Sequence, residues 1–311
     1  MVLPLSPDLD GKSSSQTHPK NGIRGVMKQT RASRAFGVQS SSFDQTYGPS
    51  PIVRFKRNRV RELLIPYLPE RASILELNGG TGEDALFFRG LGHSVTYTDL
   101  SDGMIEQARN KFKESEWDDI RSIQASFEDL SGMVEPYDVV FSNLGGLNCT
   151  PDLPAVLDQV DRVLVPGGIA CLVVMPPGSW WEHLSWLKGN VRMARRRRKG
   201  MILSQVEGKE MTTWYYPSST VRRHWKDWVI LEEHALCLVV PPEHMRKRFL
   251  GKERVLRWLE RVERSLSGWP ILRTMGDYFV IITQKPIRPS VFKIFLIIPS
   301  PKNKVLNLKA N

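Results

Sequence analysis

Glu76, the bend Asn78-Gly79-Gly80-Thr81-Gly82 and Asp99 are the residues whose types and spacing point first to chemistry. An apolar run carrying Glu76 near its end meets the glycine bend, and a helix opening with Glu83-Asp84 follows. Glycines at 79, 80 and 82 let backbone approach a ligand, because a Cβ would obstruct it or forbid positive φ; Asn78 tolerates that region next best. Asp99 ends the next strand, 17 residues beyond Gly82. In a doubly wound sheet these two strands are neighbours, so the carboxylate stands beside the bend and can accept from both hydroxyls of a ribose. Capping the following helix is its other conceivable task, but Ser101 already serves there.

Two kinds of ligand use such a site. The glycine spacing is not the GxGxxG of a pyrophosphate binder, whose helix N-terminus is free to meet phosphate. Here Glu83 and Asp84 occupy that N-terminus and would repel a diphosphate, whereas a cofactor bearing a sulfonium and an amino group tolerates them. The expected cofactor is therefore S-adenosylmethionine, with no metal.

The elements that position these residues alternate. Strands are expected at 73–77, 94–98, 121–125, 137–142 and 168–175, with helices at about 83–91, 102–113 and 152–164. That alternation demands a parallel sheet covered on both faces. Ser101 reads as an N-cap, and Pro166-Gly167-Gly168 as the turn into the fifth strand. An amphipathic helix with Val53, Val60, Leu63, Leu64 and Tyr67 precedes the sheet, ended by Pro66 and Pro69. Residues 228–240, 252–266 and 277–285 supply a strand, a helix and a last strand. The fold class is α/β: a Rossmann-like, doubly wound, mostly parallel seven-stranded sheet with an inserted lid. Residues 1–41 read as a disordered tail, 42–286 as the domain, 176–226 as a basic, Trp-rich lid insertion, and 287–311 as a second tail in which FKIFLII has no explanation.

The segments ILELNGGTGEDAL, VTYTDLSDGMIEQAR, SFEDL, YDVVFSNLGGLNC and RVLVPGGIACLVV stand in the order found in class I methyltransferases. Over about residues 43–285 the chain resembles their small-molecule branch, similar to the ubiquinone and menaquinone biosynthesis methyltransferases. The resemblance implies that Glu76, Asn78, Gly79, Gly80 and Gly82 hold the methionine end, that Asp99 holds the ribose, and that Leu100 and Met104 flank the adenine. Relatives carry an acidic residue after the third strand; this chain has Ser126, so the Phe127 backbone or Glu128 takes the adenine contact. Asn143 borders the sulfonium and the acceptor, and Tyr47 covers the cofactor. The implied acceptor is small and hydrophobic, lipid-, quinone- or secondary-metabolite-like.

A general base is needed only for an acceptor that is a poor nucleophile at neutral pH. His183, His224 and His234 are the candidates, with Asn148, Tyr215 and Tyr216 for orientation. RNA methylation and non-catalytic cofactor binding are the rival functions. SNLGG in place of an NPPY-like segment offers no clamp for a flipped base, and no RNA-binding module is visible, so nucleic acid is not the expected partner.

Charge is partitioned. Residues 71–175 hold 7 basic and 17 acidic side chains, while 176–226 hold 11 and 3, within a net charge of +11. Trp180, Leu184, Leu187, Val191 and Ala194 recur at helical steps beside Trp181, with Lys188, Arg192 and residues 195–199 cationic. This segment reads as a lid, or as a peripheral contact with an anionic membrane through 180–199. Three scattered cysteines exclude a disulfide framework. Neither a secretory signal nor a membrane span is legible, so a cytoplasmic setting is expected, with organelle import an alternative.

Overall fold

The computed structural model describes residues 30–186, 197–206, 209–249 and 251–287. Five short segments become strands: β1 (Ser73–Leu77), β2 (Ser94–Asp99), β3 (Arg121–Gln124), β4 (Tyr137–Ser142) and β5 (Leu164–Val174). Helices α3 (Glu83–Gly90), α4 (Asp102–Glu114) and α5 (Leu153–Val163) connect them, after α1 (Arg31–Tyr47) and α2 (Pro51–Leu64). Beyond β5 come α6 (Trp180–Trp186), the hairpin β6 (Met201–Val206) and β7 (Lys209–Trp214), α7 (Ser218–His224), β8 (Val229–Leu236), α8 (Glu253–Leu266) and β9 (Tyr278–Gln284).

The main sheet has seven strands in the order β3-β2-β1-β4-β5-β9-β8. β1 to β5 are parallel, and β9 runs antiparallel to both β5 and β8. The expected sheet is therefore present. Its strand order reverses between β1 and β4, which opens a crevice at the carboxyl ends of the strands. Glu76 in β1 and Asp99 at the end of β2 stand at that edge. Each face buries an apolar layer; on one, Phe88 meets Phe141 edge to face at 4.9 Å and Tyr97 meets Phe112 at 5.6 Å.

A helix over Arg31–Tyr47 corrects the expectation of a structureless tail reaching residue 41. Its buried face is Ser33, Ala35, Gln39 and Ser40, small and polar, so it leaves no hydrophobic period to read. Packing is close instead of oily: a Cβ on Gly103 of α4 would meet Gly37 O of α1 at 2.8 Å. Thr30 caps the helix by accepting from Ser33 N at 3.1 Å. Residues 1–29 and 288–311, FKIFLII included, and 187–196 of the expected lid helix lie outside the described residues.

Of the described residues of the 176–226 segment, Val221 and Trp225 join one apolar layer of the sheet. Arg197 is buried, its Nε 3.0 Å from Glu182 Oε1 and its Nη2 2.5 Å from Asp277 Oδ1, which ties α6 to the start of β9. The β6–β7 hairpin packs against α1, and α1 covers one side of the crevice. Among the described residues no helix is long and apolar enough to cross a membrane.

Candidate functional site

The bend after β1 is fastened to β2 from both sides. Gly79 N donates to Thr98 O at 2.9 Å, Tyr97 OH to Gly80 O at 2.5 Å, and Thr98 Oγ1 to Glu76 O at 2.7 Å. Asn78 adopts φ 46°, and its side chain accepts from Ser142 Oγ at 2.7 Å and donates to Asn143 O at 3.2 Å. The loop is thus stitched to β4 as well. Gly79 packs so tightly on the Tyr97 ring that a Cβ would overlap it, whereas Gly80, at φ 59°, has open space where its Cβ would be. That open side faces the cavity.

The cavity over this loop is lined by several segments of the chain. Glu76, Asn78, Gly79 and Gly80 form its floor, and Asp99, Leu100 and Met104 come from the end of β2 and the start of α4. Ser126, Phe127 and Glu128 follow β3, and Asn143, Leu144, Gly146 and Cys149 follow β4. Helix α1 adds Thr30, Ala32, Ser33, Phe36 and Phe43. Ten of the twelve expected cofactor residues therefore border one space.

Two do not. Gly82 lies beneath the loop, where a Cβ would run into Phe112 at 2.5 Å; it serves helix packing and the left-handed entry to α3. Tyr47 faces the neighbouring depression with Arg54 and Asn58, and Phe43, one helical turn earlier and 4.8 Å from its ring, is the residue that reaches the cavity.

None of the expected catalytic side chains lines the cavity. Asn148 is a buried brace, donating to Met175 O at 3.1 Å and Trp214 O at 2.6 Å and accepting from Met175 N at 2.8 Å. His224 pairs with Asp158 at 2.8 Å, His183 lies 3.2 Å from Arg198 Nη2, and His234 is held by Glu232 at 2.8 Å. Tyr215 is buried with the Arg197 guanidinium 5.1 Å from its ring centre, and Tyr216 OH donates to Thr150 O at 2.6 Å. Single polar residues in a sequence carry no signal that separates such bracing from catalysis.

Arg57 and the first turns of α1 are not legible in the sequence as site components, nor are the partners that meet the charge of Asp84. Asp84 is buried in the first turn of α3, paired with Arg57 and with Arg61, whose Nη2 lies 2.6 Å from it, and it accepts from Asn143 Nδ2 at 3.1 Å. Lys111 likewise neutralises Glu83 at 2.5 Å and Asp44 at 2.6 Å. This corrects the electrostatic argument against a diphosphate: the two acids at the helix start are cancelled by cations and do not repel by net charge. The discrimination falls to Glu76, since a ribose acceptor such as Asp99 serves either ligand.

Glu76 is 2% exposed, and its Oε2 has no hydrogen-bond partner. Burial, with Asp84 and Asp99 nearby, pushes its pKa well above the ordinary carboxylate range despite Arg57 and Arg61. A buried acceptor left open costs stability until a donor arrives. A donor such as an ammonium group would satisfy that oxygen. Asp99 Oδ2 accepts from Gly80 N at 2.9 Å and Oδ1 from Ser101 N at 2.8 Å, so the carboxylate is held by backbone with lone pairs still open to the cavity. Burial raises its pKa to about 6, against the lowering effect of those N–H groups. One unsatisfied acid for an amine, one oriented acid for a diol and an open glycine backbone between them fit S-adenosylmethionine.

Comparison with known proteins agrees. Residues 74–168 match the methyltransferase domain family. The chain is 28% identical over 192 residues to a malonyl-[acyl-carrier protein] O-methyltransferase of Pseudescherichia vulneris, covering 61% of this chain and 70% of that one. It is 23% identical over 239 residues to the non-reducing polyketide synthase adrD of Penicillium roqueforti, covering 68% of this chain but spanning only 9% of the synthase. In fold it resembles the 1,6-didemethyltoxoflavin-N1-methyltransferase of Burkholderia thailandensis, solved with S-adenosylhomocysteine, at a TM-score of 0.51 and 14% identity, covering 82% of this chain and 88% of that one. The chain carries a class I S-adenosylmethionine-dependent methyltransferase domain, and S-adenosylmethionine is its cofactor.

Proposed function

We propose that the chain transfers a methyl group from S-adenosylmethionine to a small, predominantly hydrophobic acceptor. One observation carries this reading: Ala32, Phe36, Phe43 and Leu144 line the same cavity as Glu76, Gly80 and Asp99. The carboxylates suit the polar ends of the cofactor, and the aromatic wall suits an apolar acceptor, so both reactants share one space. Holding acceptor and methyl in line supplies roughly 7–11 kcal/mol through orientation alone.

The histidines expected as bases are braced elsewhere, which favours an acceptor that brings its own nucleophile: an acidic group ionised near neutral pH rather than an alcohol. A carboxylate of the malonyl type, for which the bacterial relative is named, has that character. The neutral fit of Asn143 beside the cavity, braced on Asp84, suits a positioning role at the transfer site. The free, buried Cys171 and Cys237 suit a reducing, cytoplasmic setting.

The test is incubation of the purified chain with methyl-labelled S-adenosylmethionine and separate pools of carboxylic acids, β-dicarbonyl metabolites, neutral lipids and RNA. Label in the acidic metabolites, with matching S-adenosylhomocysteine, supports the reading. Label in RNA overturns it, and binding without turnover on any pool indicates a non-catalytic cofactor-binding protein. Phe43→Ala should raise the acceptor KM more than it weakens cofactor binding.

A further inference from the structure

The two sides of α8 differ in kind. Leu256 and Glu263 are buried, and Glu263 Oε2 accepts from Val239 N at 3.1 Å and Val240 N at 2.7 Å, which docks the helix on the chain leaving β8. The outer side presents Arg254, Arg257 and Arg261, all exposed and without a salt-bridge partner among the described residues. The helix's acids are turned elsewhere: Glu263 inward and Glu260 toward Arg264, leaving Glu253 in the first turn.

Beside the arginines runs an apolar stripe at helical steps, Val255, Trp258, Val262 and Leu266. Val255 is 45% exposed and Trp258 60%. The chain leaving the helix exposes Trp269 at 59% and Ile271 at 81%, and Lys247, Arg248 and Lys252 are exposed just before it. An indole left in water next to a row of exposed guanidinium groups matches a helix lying in a lipid interface, with aromatic and aliphatic groups at the acyl boundary and cations among phosphates. The stripe follows the helix axis and is borne on a convex element, which suits a continuous surface better than a partner that must insert a side chain.

We propose that α8 is a peripheral membrane-contact helix, docking on an anionic bilayer through Trp258 and Val255 with Arg254, Arg257 and Arg261 at the headgroups. In the 180–199 segment, Arg197 is held by Glu182 and Asp277.

The experiment is flotation of the full chain with vesicles of phosphatidylcholine alone and of phosphatidylcholine with phosphatidylserine at roughly one lipid in three, a composition that gives a strongly negative surface. The chain should float with the anionic vesicles only. Each basic side chain near such a surface contributes about a fivefold gain in partitioning, so the combined Arg254→Gln, Arg257→Gln and Arg261→Gln variant should bind about a hundredfold more weakly. Trp258→Phe should reduce quenching of tryptophan emission by brominated lipid, which gives an independent reading if the triple variant fails to fold. Unchanged S-adenosylhomocysteine affinity shows that the variants are folded. Absence of flotation, wild-type binding by the folded variants, or capture by an acidic protein without vesicle binding would overturn the proposal.

Discussion

The carboxylate of Asp99 and the backbone of Gly80 are joined by a 2.9 Å hydrogen bond, so the acid at the tip of β2 and the glycine bend after β1 form one rigid unit. Ser101 N, 2.8 Å from the other carboxylate oxygen, completes the orientation. Ser101 in turn caps α4 through Met104 N at 3.4 Å. Capping and ligand binding, which looked like alternatives for this region, are linked in series.

The pH dependence of cofactor binding follows from that unit. Burial holds the Asp99 carboxyl at about 6, above the ordinary aspartate value, and hydroxyl donors favour its ionised form. Affinity for S-adenosylhomocysteine should therefore be flat above pH 6 on this group's account and fall about tenfold per unit below it. Glu76, whose pKa is also raised, should lose a proton when a cationic amino group binds beside it. Calorimetry in buffers of different ionisation enthalpy measures that release; uptake of protons on binding would contradict the assignment.

Gly79 and Gly80 should respond differently to alanine. At Gly79 the new methyl overlaps the Tyr97 ring and lies 3.0 Å from Glu76 Cδ, so Gly79→Ala should lower stability by about 1–3 kcal/mol and disturb both carboxylate and loop. At Gly80 no protein atom lies within 4 Å of the methyl, and the cost is about 1–2 kcal/mol for the left-handed backbone, with loss of ligand binding as the larger effect. Thermal unfolding alongside cofactor titration separates the two.

Arg197 gives a test of the inserted segment. Its removal leaves Glu182 and Asp277 buried without their shared cation, so Arg197→Met should destabilise the fold by about 3–5 kcal/mol. Denaturant unfolding checks this. The cofactor residues are not in contact with Arg197, so S-adenosylhomocysteine affinity at low temperature should change little.

The parallel core was legible because local signals agreed with one another: Ser101 caps where the helical period begins, while Gly167, at φ 82°, marks the irregularity inside β5 beyond which its pairing with β4 runs on from Ile169. The cofactor floor was legible for the same reason, since the tips of adjacent parallel strands must come together. What escaped were contacts between distant segments with no local period. Asp44 accepts from Thr81 Oγ1 at 2.7 Å across 37 positions, and Arg57 and Arg61 reach Asp84 from another helix. Helix α1 escaped because glycine and serine make its interface. The FDQTY segment did mark its end, but the helical turn presents Phe43 to the cavity in place of Tyr47.

Isothermal titration of the full chain with S-adenosylhomocysteine tests the cofactor site most directly. The wild type should bind one equivalent, Asp99→Ala should weaken it about a hundredfold or more through two lost charge-assisted hydrogen bonds, and a nicotinamide dinucleotide should give no heat. Saturable binding of the dinucleotide, or an Asp99→Ala variant that is folded and binds S-adenosylhomocysteine as the wild type does, would contradict the account.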